Sequence, residues 1–121
     1  MSTPWFVGAI VVASGIALFA PRMLLAHALL VSSQPEVNST VSGPEVAVLL
    51  KYNSRVDMEH STLTLLTPDG SVQKVVIERE PEPGVLSAKL TGLVKGAYLL
   101  RWQVLATDGH ITRGKVPFQV E

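Results

Sequence analysis

The chain contains three histidines, His27, His60 and His110. His110 closes the run Ala106-Thr107-Asp108-Gly109-His110, so a carboxylate and an imidazole stand two residues apart. In extended backbone such residues project from one face. Gly109 between them lets the chain bend and a ligand approach. A carboxylate beside an imidazole is half of a metal site. His27 can supply the other half. It sits in "LLAHALLVSSQP", residues 24–35, where a strongly apolar segment gives way to ordinary soluble sequence. If the chain is cut just before it, the free terminus offers an amine and a ring nitrogen that close a chelate on one ion. His27, Asp108 and His110 then provide three nitrogens and an oxygen. Such donors in a tetragonal arrangement favour Cu(II); zinc accepts similar ligands, preferably tetrahedral.

Each of these residues also has a plain structural reading. Asp-Gly is a common turn, and a single histidine at a seam is usually incidental. Met58-Glu59-His60 gathers three metal-capable side chains but reads better as the exposed start of a strand. Tyr98 and Trp102 share an apolar face and read as core. Gly96-Ala97-Tyr98 has the form of a tyrosine corner, which is structural.

Whether His27 becomes a terminus depends on the segment before it. Residues 5–20, "WFVGAIVVASGIALFA", carry no charge. The run has the length of a signal-peptide core and is short for a membrane span. Residues 1–26 are therefore expected to be a secretory signal, with residues 27–121 as the exported domain. The n-region has no Lys or Arg, so either the true start lies elsewhere or the signal is atypical. Cleavage after Ala28, within "AHA", and an uncleaved anchor are the competing expectations. Loss of residues 1–26 removes Arg22, so nine Lys and Arg face ten Asp and Glu, a net charge of −1 with histidine neutral. That balance leaves no basic footprint for nucleic acid. There is no cysteine, hence neither a disulfide framework nor a thiolate site.

The exported part must position these donors with strands. "VAVLLKY" puts Val46, Val48, Leu50 and Tyr52 on one face. "TLTLL" leads to Asp69-Gly70, a hairpin turn, and "VQKVVIE" follows. "VLSAKL" is another short strand. "AYLLRWQVL" aligns Tyr98, Leu100, Trp102 and Val104, and "KVPFQV" aligns Val116, Phe118 and Val120. Pro117 lacks an N–H, which predicts an edge or a bulge there. About seven short strands in roughly 95 residues predict an all-β, antiparallel sandwich.

The ordered set "HALLVSSQP", "VLLKYNSRV" and "GAYLLRWQVLATDGHITRGKVPFQV" resembles the CopC family of periplasmic copper-binding proteins. The likeness runs over nearly the whole exported part. It implies an Ig-like Greek-key β-sandwich and export to the periplasm. It also implies one Cu(II) per chain, held in a histidine brace by the amine and ring of His27 together with Asp108 and His110. The role it implies is copper resistance or homeostasis as a carrier or buffer. The chain would act as a monomer, beside a CopD-like inner-membrane protein. Two features depart from the family pattern. The middle strand reads "YNSR", with Ser54 near the place where some members carry a glutamate. Met58 is the only methionine after residue 26, and one thioether cannot build a soft Cu(I) site.

Two other classes compete with the carrier. A copper redox enzyme of histidine-brace type would need open coordination space, which Asp108 occupies. A metal-free Ig-like interaction module would bind no copper at all. No Ser-His-Asp pattern or phosphate loop points to a hydrolase or a nucleotide enzyme.

Overall fold

The computed structural model describes residues 28–121. His27 and the apolar segment lie outside the described residues. Eight strands follow in order: β1 (Leu30–Gln34), β2 (Ser39–Val41), β3 (Val46–Tyr52), β4 (Val56–Leu66), β5 (Val72–Val75), β6 (Val85–Leu90), β7 (Gly96–Ala106) and β8 (Ile111–Val120). They form two sheets, β1-β3-β6 and β2-β8-β7-β4-β5. The chain crosses between the sheets five times, which gives the Greek-key sandwich expected of an Ig-like domain. The strand count exceeds the expected seven, and one pairing is not antiparallel: β2 lies parallel to β8.

Period-two alternation builds the core. Val46, Val48, Leu50 and Tyr52 are buried from one sheet. Tyr98, Leu100, Trp102, Val104 and Ala106 are buried from the other, where Val116, Phe118 and Val120 join them. Fully burying one such aliphatic or aromatic side chain contributes about 1.5–3 kcal/mol. Trp102 meets Tyr52 across the sandwich edge-on, with ring centroids 5.2 Å apart. Its indole lies over Gly114, its cross-strand partner; a Cβ there would come within 2.3 Å of the ring. The glycine is therefore part of the Trp102 seat. The Tyr98 hydroxyl donates to the Val94 carbonyl at 2.8 Å and accepts from the Val94 N–H at 2.9 Å. This is the tyrosine corner, and it fixes the entry to β7.

Pro117 sits where β8 changes from edge to interior. On its outer side β8 is covered only from Phe118 onward, by β2. The Pro117 carbonyl points that way, accepting from Asn38. A residue's N–H and C=O share one side of a strand, so the missing donor faces the side without a ladder partner.

The longest strands, β4, β7 and β8, form a wall that ends at the β7–β8 turn. β4 departs from regular pairing near the same end. Asp57 pairs with Leu105 and Thr62 with Gln103, so Met58–Ser61 bulge out between them. The Ser61 hydroxyl accepts the Leu105 N–H at 3.3 Å and donates to the Asp57 carbonyl at 2.6 Å. The bulge thus satisfies its own backbone through a side chain.

Candidate metal centre

The β7–β8 connection holds Asp108, Gly109 and His110. Gly109 takes φ of 90°, a left-handed conformation that favours glycine. Its N–H donates to the Ala106 carbonyl at 2.9 Å, and the Ala106 N–H donates to the His110 carbonyl at 2.8 Å. The turn brings Asp108 and His110 together. Asp108 Oδ1 accepts the His110 backbone N–H at 3.0 Å, and Oδ2 lies 3.0 Å from Nδ1 of the ring. An ionised carboxylate can only accept, so Nδ1 is the donor in this contact. That is the arrangement by which a carboxylate orients a metal-binding imidazole. The imidazole is 61% exposed, so an incoming ion can reach it. Each Asp108 oxygen has further lone pairs for an ion.

The start of the described chain is fastened beside this turn. The Thr112 hydroxyl, two residues past His110, donates to the Ala28 carbonyl at 2.8 Å. Ala28 is fully buried within the core. The next residue is held as well: the Leu29 N–H donates to Asn53 Oδ1 at 2.8 Å, and the Asn53 N–H donates to the Leu29 carbonyl at 3.0 Å.

The third histidine lies elsewhere. His60 crowns the β4 bulge, with Nδ1 2.9 Å from Asp57 Oδ2 and its backbone N–H 3.2 Å from Asp57 Oδ1. The hydrogen bond from His60 holds the Asp57 carboxyl below the ordinary aspartate range. Among the described residues no three of His, Cys, Asp and Glu gather in a metal-holding group. Of the three expected ligands the structure brings Asp108 and His110 together, and His27 lies outside the described residues. The sequence did not foresee Thr112 and Asn53 as anchors of the chain start; both are ordinary polar residues whose partners lie far away in sequence.

Comparison with known proteins gives one consistent picture. Residues 30–121 match the model of the CopC domain family. CopC from Methylosinus trichosporium OB3b superposes with a TM-score of 0.70 at 27% identity, covering 78% of this chain and 94% of that one. PcoC, a methionine-rich copper resistance protein from Escherichia coli, superposes with a TM-score of 0.61 at 26% identity, covering 79% of this chain and all of that one. The copper transport protein CutJ of Bacillus subtilis (strain 168) is 26% identical over 107 residues, 85% of this chain. The match spans only 20% of CutJ's length.

Proposed function

The chain belongs to the CopC family, and from that premise we propose that it is a periplasmic Cu(II) carrier or buffer acting in copper resistance and homeostasis. One Cu(II) per chain is the cargo. Its ligands are the amine and ring of His27, the Nε2 of His110 and an oxygen of Asp108. The protein acts as a monomer and performs no catalytic step of its own. The copper is received from, or passed to, a CopD-like inner-membrane protein.

The observation that carries this reading is the hydrogen bond between Thr112 and Ala28. Consecutive Cα atoms are about 3.8 Å apart. Ala28, the first described residue, is held at a point two residues along β8 from His110, which supports a donor placed just ahead of it in the chain. The same observation supports cleavage after Ala26 rather than Ala28. A cut after Ala28 would remove a fully buried residue and the acceptor of the Thr112 hydroxyl. A cut after Ala26 spares both and frees the amine of His27.

Copper binding at this site is a competition with protons. An α-amine titrates near pH 8, so freeing it near neutral pH costs on the order of 1.4 kcal/mol, which a Cu–N bond offsets. Affinity falls as pH falls, because the amine and both imidazoles take up protons. The donors are hard and borderline nitrogen and oxygen, which suit Cu(II) over Cu(I).

The deciding experiment compares the protein starting at His27 with one carrying a single glycine ahead of it. The intact mass of the exported protein first establishes residue one. The extended protein should keep its circular dichroism spectrum, bind Cu(II) more weakly and give a changed copper EPR spectrum. Equal affinities and identical spectra would show that the terminal amine is not a ligand.

A further inference from the structure

The outer face of the five-stranded sheet gathers positive charge that the fold does not use. Thr64 pairs with Lys74 on one side and Arg101 on the other, and Arg101 pairs with Lys115. Lys74, Thr64, Arg101 and Lys115 therefore form one rung across four strands, a row of about 14 Å at the usual strand spacing. Arg113 stands one outward position further along β8, opposite Gln103. Residues on either side in sequence, such as Leu100, Trp102 and Val116, point into the core. All four cations are exposed, and no carboxylate among the described residues forms an ion pair with any of them. Asp57, at the Leu105–Ile111 level of the same sheet, is tied to His60.

Like charges directly opposite each other on a sheet destabilise it. Arg101 facing Lys115, with Lys74 and Arg113 beside them, is a cost to the isolated domain. Around this cluster the side chains outline a shallow cavity of about 420 Å³, lined by Thr62, Thr64, Arg101, Gln103, Arg113 and Lys115 among others. Gln103 Oε1 accepts the Arg113 Nε–H at 2.7 Å. That bond steadies the guanidinium plane and leaves its terminal N–H groups for a planar two-oxygen acceptor.

We propose that this face is a docking surface for an acidic patch on a partner protein, with Arg101, Arg113 and Lys115 receiving its carboxylates. The guanidinium steadied by Gln103 fits the oxygens of a carboxylate or of a phosphate. Two features point to a protein rather than a lipid surface. Hydroxyls of Thr62 and Thr64 add directional hydrogen bonding. The cations are bordered by the partly exposed Leu99 and Leu105 and the half-exposed Ile111, giving an arginine-rich, partly apolar composition typical of protein interfaces. The surface also runs toward the metal site. Four residues of β7 separate the Arg101–Lys115 rung from the Leu105–Ile111 rung, about 13 Å, and His110 is the next residue. A partner seated here would cover the approach to the β7–β8 turn. That last step rests on the carrier reading; the docking itself does not.

The test uses copper-free protein, so it does not depend on the metal site. A hexaglutamate peptide is titrated into the isotope-labelled exported protein and followed by NMR. In parallel, binding is measured to vesicles of phosphatidylcholine with phosphatidylglycerol. The expected result is peptide-induced shifts centred on Thr62, Thr64, Arg101, Arg113 and Lys115. Affinity should fall at least about tenfold in the triple variant R101Q/R113Q/K115Q, and copper affinity should be unchanged in that variant. Shifts spread equally over Lys51, Lys89 and Lys95 would overturn the proposal. So would vesicle binding lost in the triple variant with no peptide effect, which would assign the face to lipid. A normal peptide response together with no copper binding would leave the docking surface standing and remove the carrier reading.

Discussion

Two aspartate–histidine pairs lie near the same end of the larger sheet, and locally they are almost the same object. At the β7–β8 turn, Asp108 holds His110 with Nδ1–Oδ2 of 3.0 Å and a backbone N–H bond of 3.0 Å. At the β4 bulge, Asp57 holds His60 with 2.9 Å and 3.2 Å. Both rings turn Nδ1 to the carboxylate, and both are well exposed. The difference is what arrives from far along the chain. Beside His110 the strand carries Thr112, which fastens Ala28 from 84 residues away. The His60 bulge closes on itself through Asp57 and Ser61. A carboxylate-oriented imidazole is thus a common local product of aspartate in a turn. A metal centre requires that the fold deliver further donors to it.

The change with the largest expected effect removes what both regions stand on. Trp102 is buried between the sheets against Tyr52 and over Gly114. Trp102→Ala should cost about 3–5 kcal/mol, against a total stability of about 5–15 kcal/mol for a domain of this size. Denaturant unfolding followed by circular dichroism measures it. A loss below about 1 kcal/mol would show that the two sheets do not depend on this residue. Gly114→Ala should act in the same direction but less, about 1–3 kcal/mol, since the added methyl must displace the indole.

The second change separates the two pairs directly. His110→Ala should weaken Cu(II) binding by more than about a hundredfold, since even partners outside the ligand set are worth about 10–100-fold. His60→Ala should leave it within about twofold. Competition titration against a chelator of known affinity reads both. Equal losses would mean that the bulge, not the turn, holds copper, and the contrast between the pairs would collapse.

Thr112→Val probes the long-range element alone. It removes the hydroxyl that holds the Ala28 carbonyl but touches neither Asp108 nor His110. Copper affinity should drop by about tenfold, the lower end for a supporting partner, and the EPR spectrum should broaden as the chain start loses its anchor. Unchanged affinity would show that Ala28 is positioned by its own burial and that the hydroxyl adds nothing.

Much of this was legible from residue types, and the part that was not follows one rule. Alternating apolar positions at Val46–Tyr52 and Tyr98–Val104 gave their faces away, because one side of each strand is core. The Asp108–His110 pair was legible because it is local. β1 was not, because a register irregularity between Leu30 and Ser32 breaks its alternation. β2 was not, because three residues, Ser39–Val41, carry too little pattern and pair parallel with a strand far along the chain. "VQKVVIE" read as one strand, yet β5 ends at Val75. Beyond it the Glu78 N–H turns to the Ser87 carbonyl at 2.8 Å, and Arg79 bridges to Ser87 in the other sheet. The bulge at Met58–Ser61 was hidden as well, since one of the bonds that holds it, from the Leu105 N–H to the Ser61 hydroxyl, joins residues far apart in sequence.

The smallest expected effect lies in the pair assigned no copper. Asp57 titrates below the ordinary aspartate range, first because His60 donates to its carboxylate and then through backbone N–H bonds from His60 and Glu59, with partial desolvation opposing them. A carboxyl whose folded pKa is depressed contributes stability that is present above its unfolded pKa. That contribution is lost as pH falls through the folded value. The loss therefore belongs to the acid side of the ordinary carboxylate range. The carboxylate is open to solvent, so the contribution is small. His60→Ala should move the Asp57 titration back up toward the ordinary value of about 3.9, as followed by side-chain carboxyl NMR in copper-free protein. The Cu(II) affinity near neutral pH should not follow it. An Asp57 titration unaffected by His60→Ala would mean that the backbone donors alone hold the carboxylate. The bulge would then orient its imidazole only incidentally, and the likeness between the two pairs would be one of distance, not of chemistry.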